Sequence, residues 1–251
     1  MKLNITIVGS SYIADLSSPI DLSIPLSGDS STPRAWNIEA PKIDPVQMGE
    51  WVGKVSEGAS VNFNTITFNP HAHGTHTECL GHISSEFISV NDTLKKYFFS
   101  ALVITVNPKQ TENDLIITKD CIEEQLNGTV PEALIIRTMP NERVKRSRNN
   151  NKSNWPYIHE KAALFIKKIG IDHVLIDTPS IDKEDDEGKL LAHKAFWNYP
   201  DAPRIHSTIT EMIYVPDQVK DGYYLLSLQM APFHNDASPS RPVLYKLMES
   251  V

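Results

Sequence analysis

Four of the chain's nine histidines fall within twelve residues, in the run His71-Ala72-His73-Gly74-Thr75-His76-Thr77-Glu78-Cys79-Leu80-Gly81-His82. Imidazole nitrogens beside a carboxylate suit a borderline divalent ion such as zinc or manganese. Imidazole also titrates near neutral pH, so the same run can supply a proton-transfer group. A purely structural zinc site is disfavoured, because such sites draw on thiolates and only Cys79 is close in sequence.

In an extended strand alternate side chains share a face. His76 and Glu78 then point the same way, and so does His82 if the strand continues; His71 and His73 are out of phase. Gly74 stands between the two sets and takes backbone angles other residues avoid. A kink or bulge there brings either His71 or His73 round to join His76 and Glu78. Two imidazoles and one carboxylate are the ligand set of several catalytic metal sites that keep a position open for water. Cys79, out of phase, is expected to pack as a small hydrophobe, and the isolated His159, His173 and His206 to be ordinary core or surface residues.

The elements that must position this run are read from apolar periodicity. Strands are expected over 3–8, 60–67, 101–106, 133–137, 173–176, 212–215 and 223–229. Helices are expected over 118–126, behind a Thr118 cap, and over 157–169, stopped by Gly170. Strands alternating with helices in the middle indicate an α/β fold. Residues 29–53 and 141–156 show little periodicity and are expected as loops, the second a basic, Asn-rich and solvated one. The acidic stretch 182–189 lacks the spacing of a calcium-binding loop and is expected as an exposed turn.

With 251 residues, 40% hydrophobic and 22% charged, the composition is that of an ordinary soluble globular protein. No internal repeat and no Gly/Ser linker interrupts it, so one domain over 1–251 is the simpler organisation. A formal net charge of −7 argues against nucleic acid or an anionic membrane surface as a partner. Two cysteines are too few for a disulfide framework and fit a reducing compartment. The start of the chain lacks a long apolar stretch before a small-residue cleavage site, and no apolar run approaches the roughly 20 residues of a membrane span. The chain therefore reads as cytoplasmic.

Segment by segment, the chain resembles the cyclase family of metal-dependent hydrolases, which includes bacterial kynurenine formamidase and isatin hydrolase. The histidine run is similar to that family's signature His-x-Gly-Thr-His-x-Asp-x-Pro-x-His. Asp21-Leu22-Ser23-Ile24-Pro25 resembles its N-terminal segment, and the stretch from Gly170 through Asp177 and Ser180 to Asp182 resembles its strand and turn. Leu190-Leu191-Ala192-His193 resembles its downstream histidine segment, and Asp236-Ala237-Ser238-Pro239-Ser240-Arg241 its C-terminal motif. The matches stand in family order. The resemblance implies a single domain of swivelling β/β/α type with a β-rich core, and a homodimer or higher homo-oligomer. It also implies one or two divalent ions per chain, zinc first and manganese as the alternative. His76 matches a metal ligand, Glu78 the carboxylate that can bridge two metals, His193 and Glu211 ligands of the second metal, and His82 the residue acting in proton transfer. Asp236, Ser238 and Arg241 are candidates to shape the substrate pocket.

Three departures bear on the site. The first signature histidine would fall at Ala72, so His71 or His73 must replace it; His71 is preferred, because one extra residue at a glycine kink is easily absorbed. Glu78 is one methylene longer than the family's Asp, and Leu80 replaces its Pro. The implied activity is hydrolysis of a small amide by metal-activated water, of the kynurenine formamidase (arylformamidase) type, with His82 passing a proton to the leaving nitrogen. Opening of a cyclic amide such as isatin is the alternative within the family. A metal-binding protein without catalysis is the alternative outside it, disfavoured because pure binding has no need of His82. Aromatic side chains such as Trp36, Trp51, Phe63 and Trp197 can stack on an aromatic substrate or serve the core.

Overall fold

Four parallel strands joined by three helical crossovers form one wall of a closed barrel. The structure, a computed structural model, describes residues 1–7 and 9–249. The barrel strands are β1 (His76–Glu78), β2 (Phe98–Val106), β3 (Ala133–Thr138), β4 (His173–Ile176), β5 (Thr208–Glu211), β6 (Gly222–Met230) and β7 (Ala237–Glu249). Their order is β7-β6-β2-β3-β4-β5-β1, and β1 pairs back onto β7 to close the ring. Strands β2 to β5 run parallel. Between them lie α1 (Lys119–Leu126), α2 (Glu160–Ile169) and α3 (Leu191–Trp197), as a parallel sheet requires, since hairpins cannot connect parallel neighbours. Ser10–Asp15 extends the sheet from β7, and Lys2–Ile7 pairs with it.

Strands covered on both faces read as continuous apolar runs. In β3 and β4 every residue is buried. Leu102, Ile104, Leu134, Ile136, Val174 and Ile176 pack under Ile122, Leu126, Ala162, Ile166, Phe196 and Trp197 of the helices. The alternate residues Ala101, Val103, Ala133, Ile135 and Leu175 fill the barrel with Leu22, Leu226, Leu228 and Leu244. Helix α1 starts where the Thr118 hydroxyl accepts the Cys121 N–H at 3.4 Å. Helix α2 ends at Gly170, whose φ of 88° closes its last turn.

The expected β-rich α/β class holds, with corrections in particular elements. Val8, last residue of the expected N-terminal strand, lies outside the described residues. Tyr157–Ile158 is a strand rather than a first helical turn: it pairs in parallel with Ile116 and Ile117, and His159 caps α2 by accepting the Lys161 N–H at 3.1 Å. The strand expected over 212–215 lies earlier, at Thr208–Glu211, where the β-branched residues are; Met212 turns out of it with φ 51°. Helix α3 adds an element that periodicity does not reveal, because five of its seven residues are buried and they show no amphipathic period. Residues 29–53 are not a plain loop. Lys42–Pro45 pairs with Asn64–Thr67, and Gln47–Met48 with Trp51–Val52, forming an arm that stands off the barrel. Most of its residues are exposed, so its strands carry no inside–outside alternation to read.

His173 begins β4 at the edge of the core, sharing a hydrogen bond with Thr208 Oγ1 at 2.8 Å and packing against the Phe99 ring. Burial pushes its imidazole down from 6.5 to about 4. The unfolded chain therefore binds the proton first as pH falls. Stability is expected to be full above pH 6.5 and to lose up to roughly 3 kcal/mol from this residue by pH 4, measured by urea unfolding across pH. His173→Asn is expected to flatten that loss.

Candidate metal centre

Strand β1 is only three residues long, yet it is held on both sides. Glu78 pairs with Ile209 of β5 and Ala237 of β7, and His76 with Glu211 and Pro239. Alternation sends Thr77 to the opposite face, where its hydroxyl bonds to Thr210 Oγ1 at 2.8 Å. His76 and Glu78 project together onto the face that α3 covers. His76 Nε2 lies 3.3 Å from Glu211 Oε2 across the strands. Both His76 and Glu78 are wholly buried.

Gly74, at φ 66°, supplies the kink ahead of β1. The Asn69 side-chain oxygen accepts the His71 and Ala72 N–H groups at 2.9 and 3.0 Å, a local turn that aims His71 at Glu78. His71 Nδ1 stands 3.0 Å from Glu78 Oε2, and its Nε2 donates to Asp236 Oδ2 at 2.7 Å. His73 is committed elsewhere: its Nδ1 accepts the Asn69 N–H at 2.9 Å and its Nε2 donates to the Glu39 carbonyl at 2.8 Å.

Beyond Glu78 the strand does not continue. The chain enters the 3-10 turn Leu80–His82, so His82 reaches the site by a turn rather than by alternation. Its Nε2 is 3.8 Å from Glu78 Oε2, its Nδ1 is 3.6 Å from Asp236 Oδ2, and its ring stacks on His71 with centroids 4.2 Å apart. The turn is tight at Gly81: an added Cβ would sit 2.1 Å from the Ile88 carbonyl oxygen and 3.2 Å from Asp236 Cβ. Cys79 is buried, as expected of a small hydrophobe, and burial pushes its thiol up to about 11.

Helix α3 brings in His193. Asp182 receives the Ala192 N–H at 2.8 Å, the His193 N–H at 3.1 Å and His193 Nδ1–H at 2.6 Å. The opposite nitrogen, Nε2, lies 3.0 Å from Glu78 Oε1 and 3.9 Å from Glu211 Oε1. Glu211 itself accepts the Ile181 N–H at 2.8 Å.

A shared geometry emerges. His71, His76 and His193 each have one ring nitrogen held by an outer acceptor: Asp236, the Gly74 carbonyl at 3.1 Å, and Asp182. Each turns its other nitrogen onto Glu78 or Glu211. Metal-ligating histidines are oriented in this way, one nitrogen fixed from behind and the other free for the ion. His76 Nε2 is buried without a hydrogen-bond partner, a costly state unless something else satisfies it. Donor atoms of His71, His76 and Glu78 lie within 4.8 Å of one another, as do those of Glu78, His82 and His193. The two groups meet at Glu78, and the donor set fits a divalent ion.

The electrostatics are those of protons standing where cations belong. Burial disfavours the charged form of His71, but its hydrogen bonds to Asp236 and Glu78 outweigh it and raise the imidazole to about 10. Burial likewise opposes charge on His193, and Asp182 and Glu78 overcome it, holding it well above its usual range. Glu78 is pushed up by burial, yet the charge of His82 and the hydrogen bonds of His193 and His71 hold it well below the ordinary carboxylate range.

Beside this cluster opens a cavity of about 410 Å³, lined in part by Trp36, Ile38, His71, His82, Leu190 and Glu211. Trp36 and Asn37 both take left-handed backbone angles, φ 63° and 55°, a strain that non-glycine residues tolerate only where their surroundings enforce it. The Trp36 ring meets Trp155 edge-on at 5.1 Å, and Trp155 is anchored through Nε1–H to the Asp182 carbonyl at 3.0 Å. Trp197, by contrast, is fully buried in the core. Ser238 donates to the Ala231 carbonyl, and Arg241 pairs with Asp21, so of the three C-terminal candidates only Asp236 touches the cluster. Asp182 was missed as a site residue. It is buried, not part of an exposed turn, and the signals for it were its place at the end of the segment resembling the family's strand and turn and apolar Ile181 just before it.

A family model described as "Putative cyclase" matches residues 20–183. The chain belongs to that cyclase family. Kynurenine formamidase of Bacillus cereus is 30% identical over 232 residues, covering 90% of this chain and 96% of the relative. That of Bacillus cytotoxicus is 29% identical, covering 91% and 97%. Among solved structures, isatin hydrolase A from Labrenzia aggregata superposes with a TM-score of 0.65 at 14% identity, covering 93% of this chain and 94% of the other. A "predicted metal-dependent hydrolase" from Bacillus stearothermophilus gives 0.64 at 18% identity, covering 91% and 98%. The relatives bear out the expected class, a hydrolase of the cyclase family acting on an amide C–N bond.

In metal-free protein the raised imidazoles contribute stability that is complete below about pH 6.5 and is lost as pH climbs through their folded values, about 10 for His71. Chelator-treated protein is expected to unfold at lower denaturant concentration at pH 9 than at pH 7. Glu78→Gln, which strands the buried imidazoliums, is expected to cost about 3–5 kcal/mol at pH 7 and to flatten the slope.

Proposed function

We propose that the protein is a metal-dependent amidohydrolase of the arylformamidase type, and that the convergence of three back-supported imidazoles on Glu78 and Glu211 is its metal centre. His71, His76 and Glu78 are assigned to one ion, and Glu78, His193 and Glu211 to a second where both are filled. Zinc is the first candidate and manganese the alternative, since imidazole and carboxylate serve either. When bound, such an ion lowers the pKa of water toward neutrality and polarises a carbonyl oxygen.

The chain's own residues do the rest. The cavity beside the cluster admits a small amide, with the partly exposed Trp36 as an apolar wall for an aryl group. Thirty-one per cent of the His82 side chain is solvent-accessible, and its Nε2 is turned toward Glu78. It is assigned to pass a proton to the leaving nitrogen as the C–N bond breaks, so that formamide and water become amine and formate. The wholly buried Glu78 and the nearly buried Glu211 hold negative charge fixed at the reacting centre. The substrate favoured is an N-formyl aromatic amine, in keeping with the kynurenine formamidase relatives.

The same reading takes residues 1–251 as one domain in a reducing cytoplasm, where the free Cys79 and Cys121 are at home. Among the described residues no helix is long and apolar enough to cross a membrane. It also takes the working form as a homodimer or larger. The arm leaves Ile43, Met48, Val55, Val61, Phe63 and Ile66 exposed, an apolar concentration of the kind that marks an association surface.

Metal content by mass spectrometry is expected to give one to two equivalents of zinc or manganese, largely lost in His76→Ala. A metal-free protein that takes up neither ion overturns the proposal. His82→Ala is expected to keep its metal while kcat on an N-formyl aromatic amine falls by roughly 10²- to 10⁴-fold. For the arm, Phe63→Asp with Ile66→Asp is expected to shift the mass measured by light scattering to that of one chain.

A further inference from the structure

Asp236 occupies an unusual position: one carboxylate oxygen faces the outer nitrogens of two stacked imidazoles. Its Oδ2 accepts His71 Nε2–H at 2.7 Å and stands 3.6 Å from His82 Nδ1. The inner nitrogens of the same rings, His71 Nδ1 and His82 Nε2, lie 3.0 and 3.8 Å from the same oxygen of Glu78. The two rings, 4.2 Å apart and 28° from parallel, are thus strung side by side between one outer and one inner carboxylate.

Asp236 is fixed in the frame of the histidine run by its main chain. Its carbonyl accepts the Cys79 N–H at 3.0 Å, the Asn235 carbonyl accepts the Val90 N–H at 2.8 Å, and Ala237 pairs with Glu78 across β7 and β1. None of these contacts involves the Asp236 side chain. Removing its charge therefore leaves the backbone frame in place.

We infer that Asp236 is a positioning residue that sets two imidazoles of different duty at once, orienting His71 toward the metal and His82 toward the substrate's leaving nitrogen. The inference rests on the metal-hydrolase reading. A carboxylate behind a ligating imidazole fixes which nitrogen carries the proton and raises the basicity of the other. By sharing its oxygen, Asp236 extends that control to His82, which the longer contact leaves freer to turn.

The test uses full-length Asp236→Asn, isosteric and neutral, with Asp236→Ser as a second variant. Zinc affinity is measured by competition with a chromophoric chelator. At saturating zinc, kcat and KM on an N-formyl aromatic amine are measured in the wild-type and His82→Ala backgrounds. Zinc affinity is expected to fall by about 10- to 100-fold, and kcat to fall with KM nearly unchanged. In the His82→Ala background the same substitution is expected to weaken zinc equally but to lower kcat no further, because the ring it positions is gone. Zinc affinity within twofold of wild type in both variants, or an equal loss of kcat in both backgrounds, overturns the inference. Failure of the wild-type protein to bind zinc or manganese overturns the hydrolase reading and this inference with it, whereas wild-type binding and turnover with unaffected variants overturn this inference alone.

Discussion

A carboxylate with no access to water is the constraint on which this structure turns. Glu78 is wholly buried, and a buried charge without partners is among the most costly features a fold can hold. Every element around it provides a partner. The kink at Gly74 delivers His71, the 3-10 turn delivers His82, and α3 delivers His193. These come from segments 115 residues apart in sequence, counting from Glu78 to His193. Only a frame that holds all of them in register can keep the carboxylate ionised.

Barrel closure is that frame. A three-residue strand is a weak element alone, but β1 is paired on both edges and so cannot slip by one residue without sending His76 and Glu78 into the barrel and Thr77 out. Outside the cluster, Asp182 and Asp236 brace the imidazoles from behind. The neighbouring parallel strands β3 and β4, the second of which leads to Asp182, are tied at their ends by a further pair: Lys145 donates to Asp177 at 2.8 Å and to Thr138 at 2.7 and 2.9 Å. Lys145 belongs to the basic stretch read from sequence as a solvated loop. Its neighbours Arg143 and Arg146 are indeed exposed, but Lys145 itself pins the loop to the ends of β3 and β4.

Substrate space is made by what lies outside the barrel. The segment before the histidine run is strained at Trp36 and Asn37 and braced by Trp155, which fixes an aromatic wall over a cavity whose floor is the histidine cluster. Strain at a pocket wall held by a rigid support is characteristic of functional sites, because it can persist only where surrounding contacts enforce it.

The sequence by itself determined the chemistry and the class of fold. Histidines and a carboxylate packed into one short run identify their own ligand chemistry, since donor type is a property of the residue, and strands alternating with helices in the middle of the chain announce an α/β fold. It also narrowed the residue that joins His76 and Glu78 to His71 or His73 by phase and glycine placement. Tertiary structure separates the two: Asn69 and Glu39 occupy both nitrogens of His73, whereas His71 faces Glu78. It likewise decided that β1 ends at Glu78, that Asp182 is buried rather than part of an exposed turn, and that Asp236 meets two imidazoles at once. The reason is range. Periodicity and residue type are local quantities, whereas the partner of a buried charge is chosen by contacts across 100 residues or more, which exist only once the barrel has closed.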